Sequence, residues 1–267
     1  MPMVAPTLLA LDFDGVLCDG LLEYFETSWK AYCQIFKPAK TTPPPGLADQ
    51  FYPLRPVIET GWEMPMVLHA LLQGIQADDI LQDWRQIVPT LLAQADLTAE
   101  QVMTAVDGTR DRWIQADLDG WLGLHRTYPG TLPWLQQVLA SEVKTVIIST
   151  KEGRFIHAFL QQQGVEMPRA QIFGKEVQQP KTETLRQLLA QHPGSSTDPT
   201  RLWFVEDRYK TLQKIEAQAD LNGVELFLVD WGYNTAAERD AAGRDDRVHL
   251  LSLSTIVQEF SAWTEPA

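Results

Sequence analysis

The sequence predicts an α/β protein: a Rossmann-like core built on a parallel sheet, with an all-helical cap domain inserted after the first strand. Three observations predict it. From Val143 onward, short continuous apolar runs alternate with amphipathic helical stretches, the pattern of parallel strands covered on both faces. One more apolar run, Thr7–Leu11 within the segment Val4–Leu11, stands far upstream. Between the two, residues 22–121 carry mostly helical periodicity.

The elements follow in order. Thr7–Leu11 ends on acidic residues and has no basic stretch ahead of it, so it reads as a first strand and not as a signal peptide. Apolar residues then recur at spacings of three and four in Met66–Leu72, Ile87–Leu92 and Val102–Trp113, the signature of helices. The stretch Thr41–Gly46, with three prolines, reads as an ordered loop, and Tyr128-Pro129-Gly130 as the turn that returns the chain to the sheet. Val143–Ile148 precedes a helix over Phe155–Gln163, and Gln171–Phe173 precedes one over Thr182–Gln191. Leu202–Val205 precedes Tyr209–Ala219, and Val224–Val229 is the fifth strand. The predicted division is residues 1–19 with 127–267 as the α/β core, and 20–126 as the helical cap domain.

Composition narrows the partners. Of 267 residues, 35 are Asp or Glu and 22 are Lys or Arg, a net charge of −13. Such a surface repels phosphate backbones and anionic lipid, so neither nucleic acid nor membrane is an expected partner. Small anionic substrates remain open, because one local cation can reverse the field in a cleft. The two cysteines, Cys18 and Cys33, make no disulfide framework and fit a reducing, cytoplasmic location. No segment approaches the ~20 consecutive apolar residues of a spanning helix.

Ligands of open parallel sheets bind beyond the carboxyl ends of the strands, so the residues there carry the functional information. The first strand ends Asp12-Phe13-Asp14-Gly15-Val16-Leu17-Cys18-Asp19, and the second Ser149-Thr150-Lys151. Lys181 opens the helix after the third, and the fourth ends Glu206-Asp207. These four motifs, in this order and on these elements, resemble the haloacid dehalogenase superfamily, and within it the phosphoglycolate phosphatase-like members with a helical cap. The segment Asp230-Trp231-Gly232-Tyr233-Asn234-Thr235, after the fifth strand, resembles the corresponding loop of that subgroup.

The resemblance implies a phosphatase that depends on Mg²⁺. Asp12 would be the nucleophile, forming an aspartyl-phosphate and splitting one difficult displacement into two. The carboxylates of Asp12 and Asp207 and the backbone carbonyl of Asp14 would hold Mg²⁺, which prefers hard oxygen ligands, with Glu206 as a further or outer ligand. Asp14 would protonate the leaving alkoxide and then activate water. Gly15 permits the sharp departure from the strand. Ser149 would bind a phosphoryl oxygen, with Thr150 the alternative at the same strand end. Lys181 would cancel charge on nucleophile and phosphate, and Lys175 is its rival.

Plainer readings stand beside these. Ser149 also fits a helix N-cap ahead of Glu152. Asp12 and Asp14 also fit turn-forming aspartates, Lys181 a solvated helix start, and Glu206-Asp207 a surface acidic pair. The fourth motif departs from the commoner Gly-Asp-x-x-x-Asp pattern, with Glu206 in place of the glycine and Thr211 where the later acid stands.

Other branches of the superfamily fit less well. Dehalogenases lack an acid at the position of Asp14. Phosphonatases use a cap lysine, and Leu21–Lys30 offers only Lys30. The sugar-phosphate mutases carry a histidine that this helix lacks. A non-catalytic descendant would be expected to have lost Asp12 or Asp14. The implied partner is a small phosphorylated metabolite, bound by a monomer or small homo-oligomer.

Substrate choice is expected to lie in the helical insertion. Within Tyr52–Glu63, Arg55 is a candidate to hold a second anionic group of the substrate bidentately, and a salt-bridged helix entry is the alternative reading. Trp29, Trp62, Trp84, Trp113, Trp121 and Trp134 are assigned to cap packing, and His125 and Arg126 to structural roles.

Overall fold

The computed structural model describes residues 5–195 and 199–264; Val4 of the predicted first segment and the outermost residues of the predicted core, 1–4 and 265–267, lie outside the described residues. The chain divides into two compact units, residues 1–19 with 127–267, and residues 20–126.

The first unit is organised by one parallel sheet. Its strands are β1 (Leu8–Leu11), β2 (Lys144–Ile148), β3 (Ile172–Phe173), β4 (Leu202–Glu206), β5 (Glu225–Val229) and β6 (Val248–Leu251), in the order β3-β2-β1-β4-β5-β6. This doubly wound order reverses between β1 and β4, which puts the ligand crevice at their carboxyl ends. Leu11 pairs with Ile147 on one side and Val205 on the other, so Asp12, Ile148 and Glu206 stand at one level. The Asp12 amide extends the ladder by donating to Val205 O at 2.8 Å.

Burial on both faces explains the continuous apolar runs. Leu8, Ala10, Phe204, Leu226 and Leu228 pack with Leu185, Leu188, Leu212 and Ile215 in one buried cluster. Their strand neighbours turn the other way: Trp203 meets Phe227 at 4.8 Å and Trp263 at 5.7 Å between ring centroids. Trp134 joins Trp263 at 5.6 Å. Trp134 thus serves the sheet unit and not the cap packing expected of it.

Two further differences have simple causes. The sixth strand, Val248–Leu251, is not among the predicted ones, because it is a four-residue edge buried only at its two ends, and His249 interrupts its apolar run. Gln171, predicted as strand, lies in a 3₁₀ turn held by Arg169 Nη1 donating to Ile172 O at 2.6 Å.

The second unit is mostly helical: α1 (Leu21–Phe36), α2 (Leu47–Phe51), α3 (Glu63–Leu72), α4 (Ala77–Gln94), α5 (Ala99–Ala116) and α6 (Leu118–Leu122), with a 3₁₀ segment over Tyr52–Val57. A capping box of Thr98 and Gln101 starts α5. Inside the unit lies a buried charge. Glu23 on α1 is fully buried and accepts from Arg110 Nε at 2.8 Å, Trp121 Nε1 at 3.0 Å and Thr27 Oγ1 at 2.6 Å. Burial works against the Arg110 cation, but Glu23 outweighs it and holds the guanidinium well above its usual range. Glu63 plays a similar part, accepting the amides of Glu59 and Thr60 at 2.6 Å each and Trp84 Nε1 at 3.1 Å.

Removing one member of a buried, hydrogen-bonded ion pair leaves its partner uncompensated, at a cost of ~3–5 kcal/mol. Glu23→Ala is therefore expected to lower stability by about that amount, read by urea denaturation, with the Glu23→Leu, Arg110→Met double variant recovering most of the loss. A loss below ~1 kcal/mol would show that the pair does not hold this unit together.

Candidate active site

Three carboxylates meet where the sheet order reverses. Asp12 follows β1, Glu206 ends β4 and Asp207 follows it; all three are buried, and each offers an oxygen within 4.8 Å of the others. Lys181, the first residue of the helix Lys181–Gln191, reaches in with Nζ at 2.7 Å from Glu206 Oε2 and 3.0 Å from Asp12 Oδ1. The contact with Asp12 is a close ion pair between side chains only 15% and 10% exposed.

The surrounding backbone is shaped to permit this crowding. Gly15, at φ +84°, turns the chain out of β1, and a side chain there would collide with the Asp207 carboxylate. The loop after β5 closes on Asp207 from the other side. The Tyr233 amide donates to Asp207 Oδ2 at 2.8 Å, and Asn234 Nδ2 donates to Asp207 O and to Val229 O, each at 2.8 Å. A Cβ at Gly232 would run into Asp207 Cβ and lie 2.7 Å from Gly15 O.

Three carboxylates against one ammonium leave the cluster short of positive charge. Burial pushes the Asp12 carboxyl up to about 7; Lys181 opposes this, and Glu206 and Asp14 add to it. Asp207 also lies well above the usual carboxylate range, through burial and then through Glu206 and Asp12. Lys181 moves up despite its own burial, because Asp12 and Glu206 favour its charged form. A hard divalent cation suits such a set: three buried carboxylates converge within 4.8 Å and only one ammonium stands among them.

The other predicted site residues fall as follows. The Asp14 carboxylate stays outside the cluster, and its Oδ1 accepts from Lys151 Nζ at 3.1 Å. Ser149 is buried at the end of β2. Its amide donates to Phe173 O at 2.9 Å and its Oγ accepts from the Lys151 amide at 3.2 Å. It does not cap the following helix, Gly153–Gln162, whose N-cap is Glu152. Thr150 is exposed. Lys175 is exposed in a 3₁₀ turn, and its amide donates to Lys151 O at 2.9 Å. Arg55 belongs to the helical unit, where Nη1 donates to Ile58 O at 3.0 Å and the guanidinium lies 4.9 Å from the centre of the Tyr24 ring. His125 is buried in the same unit against Trp121.

The residues that the sequence reading left without a role are Lys151, Gly232, Tyr233 and Asn234. The post-β5 loop stood out as a segment, but nothing in its residue order says that its amides grip Asp207.

Two outcomes follow. An alanine at position 232 has rigid neighbours on both sides, so Gly232→Ala is expected to cost about 1–3 kcal/mol in thermal or urea unfolding. The second concerns pH. Folding raises the Asp12 carboxyl from 3.8 to about 7, so across this interval the folded chain binds more protons than the unfolded one, and stability falls as pH rises through it. Asp12→Asn removes that liability. In chelator-containing buffer it is expected to melt above the wild type at pH 8, with the gain shrinking toward pH 4; a gain independent of pH would contradict the assignment.

No family model and no curated protein matches the sequence. Solved structures match over nearly the whole chain. A haloacid dehalogenase-like family hydrolase from Streptococcus pneumoniae aligns at 15% identity, covering 94% of this chain and 95% of its own, with a TM-score of 0.57. A predicted phosphoglycolate phosphatase from Haemophilus somnus aligns at 14% identity over 97% of this chain and 96% of its own, also at 0.57. A hydrolase from Pseudomonas syringae aligns at 12% identity over 91% and 93%, at 0.53. Likeness at this identity speaks for architecture, and the coverage includes sheet and helical insertion together. The chain has the fold of the haloacid dehalogenase-like hydrolases.

Proposed function

We propose that this protein is a Mg²⁺-dependent phosphatase that hydrolyses a small phosphorylated metabolite through an aspartyl-phosphate on Asp12. The observation that carries the reading is the buried Asp12 carboxylate with Lys181 Nζ at 3.0 Å, flanked by Glu206 and Asp207. Surface acidic clusters are common, but three buried acids with one lysine among them are costly to keep. The fold's solved relatives, described as hydrolases and phosphatases, support the same reading.

Asp12, Asp207 and Glu206 would hold Mg²⁺, with the Asp14 carbonyl as a further ligand. The bound ion supplies neutralisation of phosphoryl charge, so that an anion can approach an anion. The Asp12 carboxylate then forms a bond to phosphorus as the bond from phosphorus to the leaving oxygen breaks, and Asp14 gives that oxygen a proton. In the second half, water forms a bond to phosphorus, Asp14 takes its proton, and the bond from Asp12 to phosphorus breaks. Lys181 keeps the nucleophile ionised and in place, and offsets charge on the phosphoryl group. The Ser149 hydroxyl donates to a phosphoryl oxygen, with Thr150 beside it at the rim. Residues 20–126 act as the cap that selects the substrate, with Arg55 for its second anionic group, in a cytoplasmic protein.

Phosphate release from a panel of phosphomonoesters tests this. Activity is expected with Mg²⁺, lost with EDTA, and reduced on the order of 10³-fold or more by Asp12→Asn. Mg²⁺ is also expected to raise the melting temperature, and to raise it more at pH 8 than at pH 5, because the ligands must first lose their protons. Activity that survives Asp12→Asn would exclude the covalent route, and an inactive wild type across the panel would exclude the phosphatase reading.

A further inference from the structure

The geometry points to Lys151 as the residue that positions Asp14 for proton transfer to the leaving oxygen and from the attacking water; this rests on the phosphatase reading above. Four acidic side chains crowd this end of the sheet, and two lysines divide them. Lys181 lies against Asp12 and Glu206, while Lys151 Nζ lies 3.1 Å from Asp14 Oδ1. The Lys151–Asp14 pair is no solvated surface bridge, since the two side chains are only 12% and 15% exposed. Without the ammonium, the Asp14 carboxylate would have the negative Asp12 cluster beside it and no counter-charge to hold its orientation. With it, Oδ1 is anchored. No hydrogen bond occupies Asp14 Oδ2 among the described residues, so Oδ2 is the atom left to carry the proton.

Lys151 is itself held on several sides, which suits a positioning role better than a flexible surface lysine would. Its amide donates to Ser149 Oγ at 3.2 Å, and its carbonyl accepts the Lys175 amide at 2.9 Å. The next turn is pinned by Glu176, whose Oε2 accepts the Gly153 amide at 3.0 Å and whose other oxygen meets Arg169. Gly174 packs so closely beneath that a Cβ there would collide with Gly153 N and lie 2.7 Å from Lys151 O. The segment after β3 thus braces the backbone from which Lys151 reaches Asp14.

In the first step, Asp14 Oδ2 passes its proton to the bridging oxygen as that oxygen takes the electron pair of its broken bond to phosphorus. In the second, Oδ2 takes a proton from the water whose oxygen bonds to phosphorus, and Asp12 is released as carboxylate. A leaving group that departs readily as an anion needs little of this help, and a poor one needs it all.

The test compares p-nitrophenyl phosphate with phenyl phosphate, whose leaving phenol is the weaker acid, in the wild type, Lys151→Met and Lys151→Arg, with Mg²⁺ affinity read in parallel by thermal shift. Lys151→Met is expected to lower kcat/KM about 10²-fold on phenyl phosphate and less than ~10-fold on p-nitrophenyl phosphate. Lys151→Arg, which keeps the cation, is expected to restore most of the difference, and Mg²⁺ affinity is expected to stay unchanged in both variants. Equal losses on the two substrates, no loss, or weakened Mg²⁺ binding in a folded Lys151→Met protein would overturn the inference. A wild type inactive on both esters would instead remove the phosphatase reading, and this inference with it.

Discussion

Carboxylates do not gather inside proteins unless something compels them, and here the compulsion is the shared carboxyl edge of β1 and β4. Strand pairing puts Asp12 and Glu206 at one level, with Asp207 next along the chain, so burial and mutual repulsion act on all three at once. Lys181 answers part of that cost with two short ion pairs. The Tyr233 amide answers a little more at Asp207. The remainder is uncompensated, which makes the cluster a fitting place for a hard cation.

Much of the neighbouring structure makes sense as accommodation to that cluster. Gly15 and Gly232 are the positions where even a methyl group would strike Asp207 or the backbone beside it. Asn234 spends both amide protons on carbonyls, one of Asp207 and one of Val229, and Arg239 Nη1 steadies its Oδ1 at 2.9 Å. The Asn234 bridge fixes the backbone of Asp207, and the Tyr233 amide orients the carboxylate itself. Lys151 does for Asp14 what Lys181 does for Asp12, giving it a counter-ion of its own apart from the buried carboxylate cluster.

The helical unit meets a different demand with related means. A buried Glu23 joins α1 to Arg110 on α5 and Trp121 on α6. Such a network specifies one packing because each partner is costly to leave unpaired.

Most of the fold was legible in residue order. Parallel strands buried on both faces must be continuous apolar runs, and helices that cover them must be amphipathic, so the first five strands announced themselves. The sixth did not, because Val248–Leu251 is a half-exposed edge whose identity comes from pairing with β5. The assignment of Trp134 to the helical insertion failed for a related reason: an aromatic residue advertises burial, but its partner, Trp263, lies far away in the chain. At the site, Asp12, Glu206, Asp207 and Lys181 could be named because each sits where a strand ends or a helix begins, a local property. By itself, then, the sequence determined the strand ends and the chemical groups placed on them. Only the tertiary structure decided which lysine serves which carboxylate, and that the loop after β5 grips Asp207, because those pairings span from 25 to more than 130 residues of chain and are set by strand order and register.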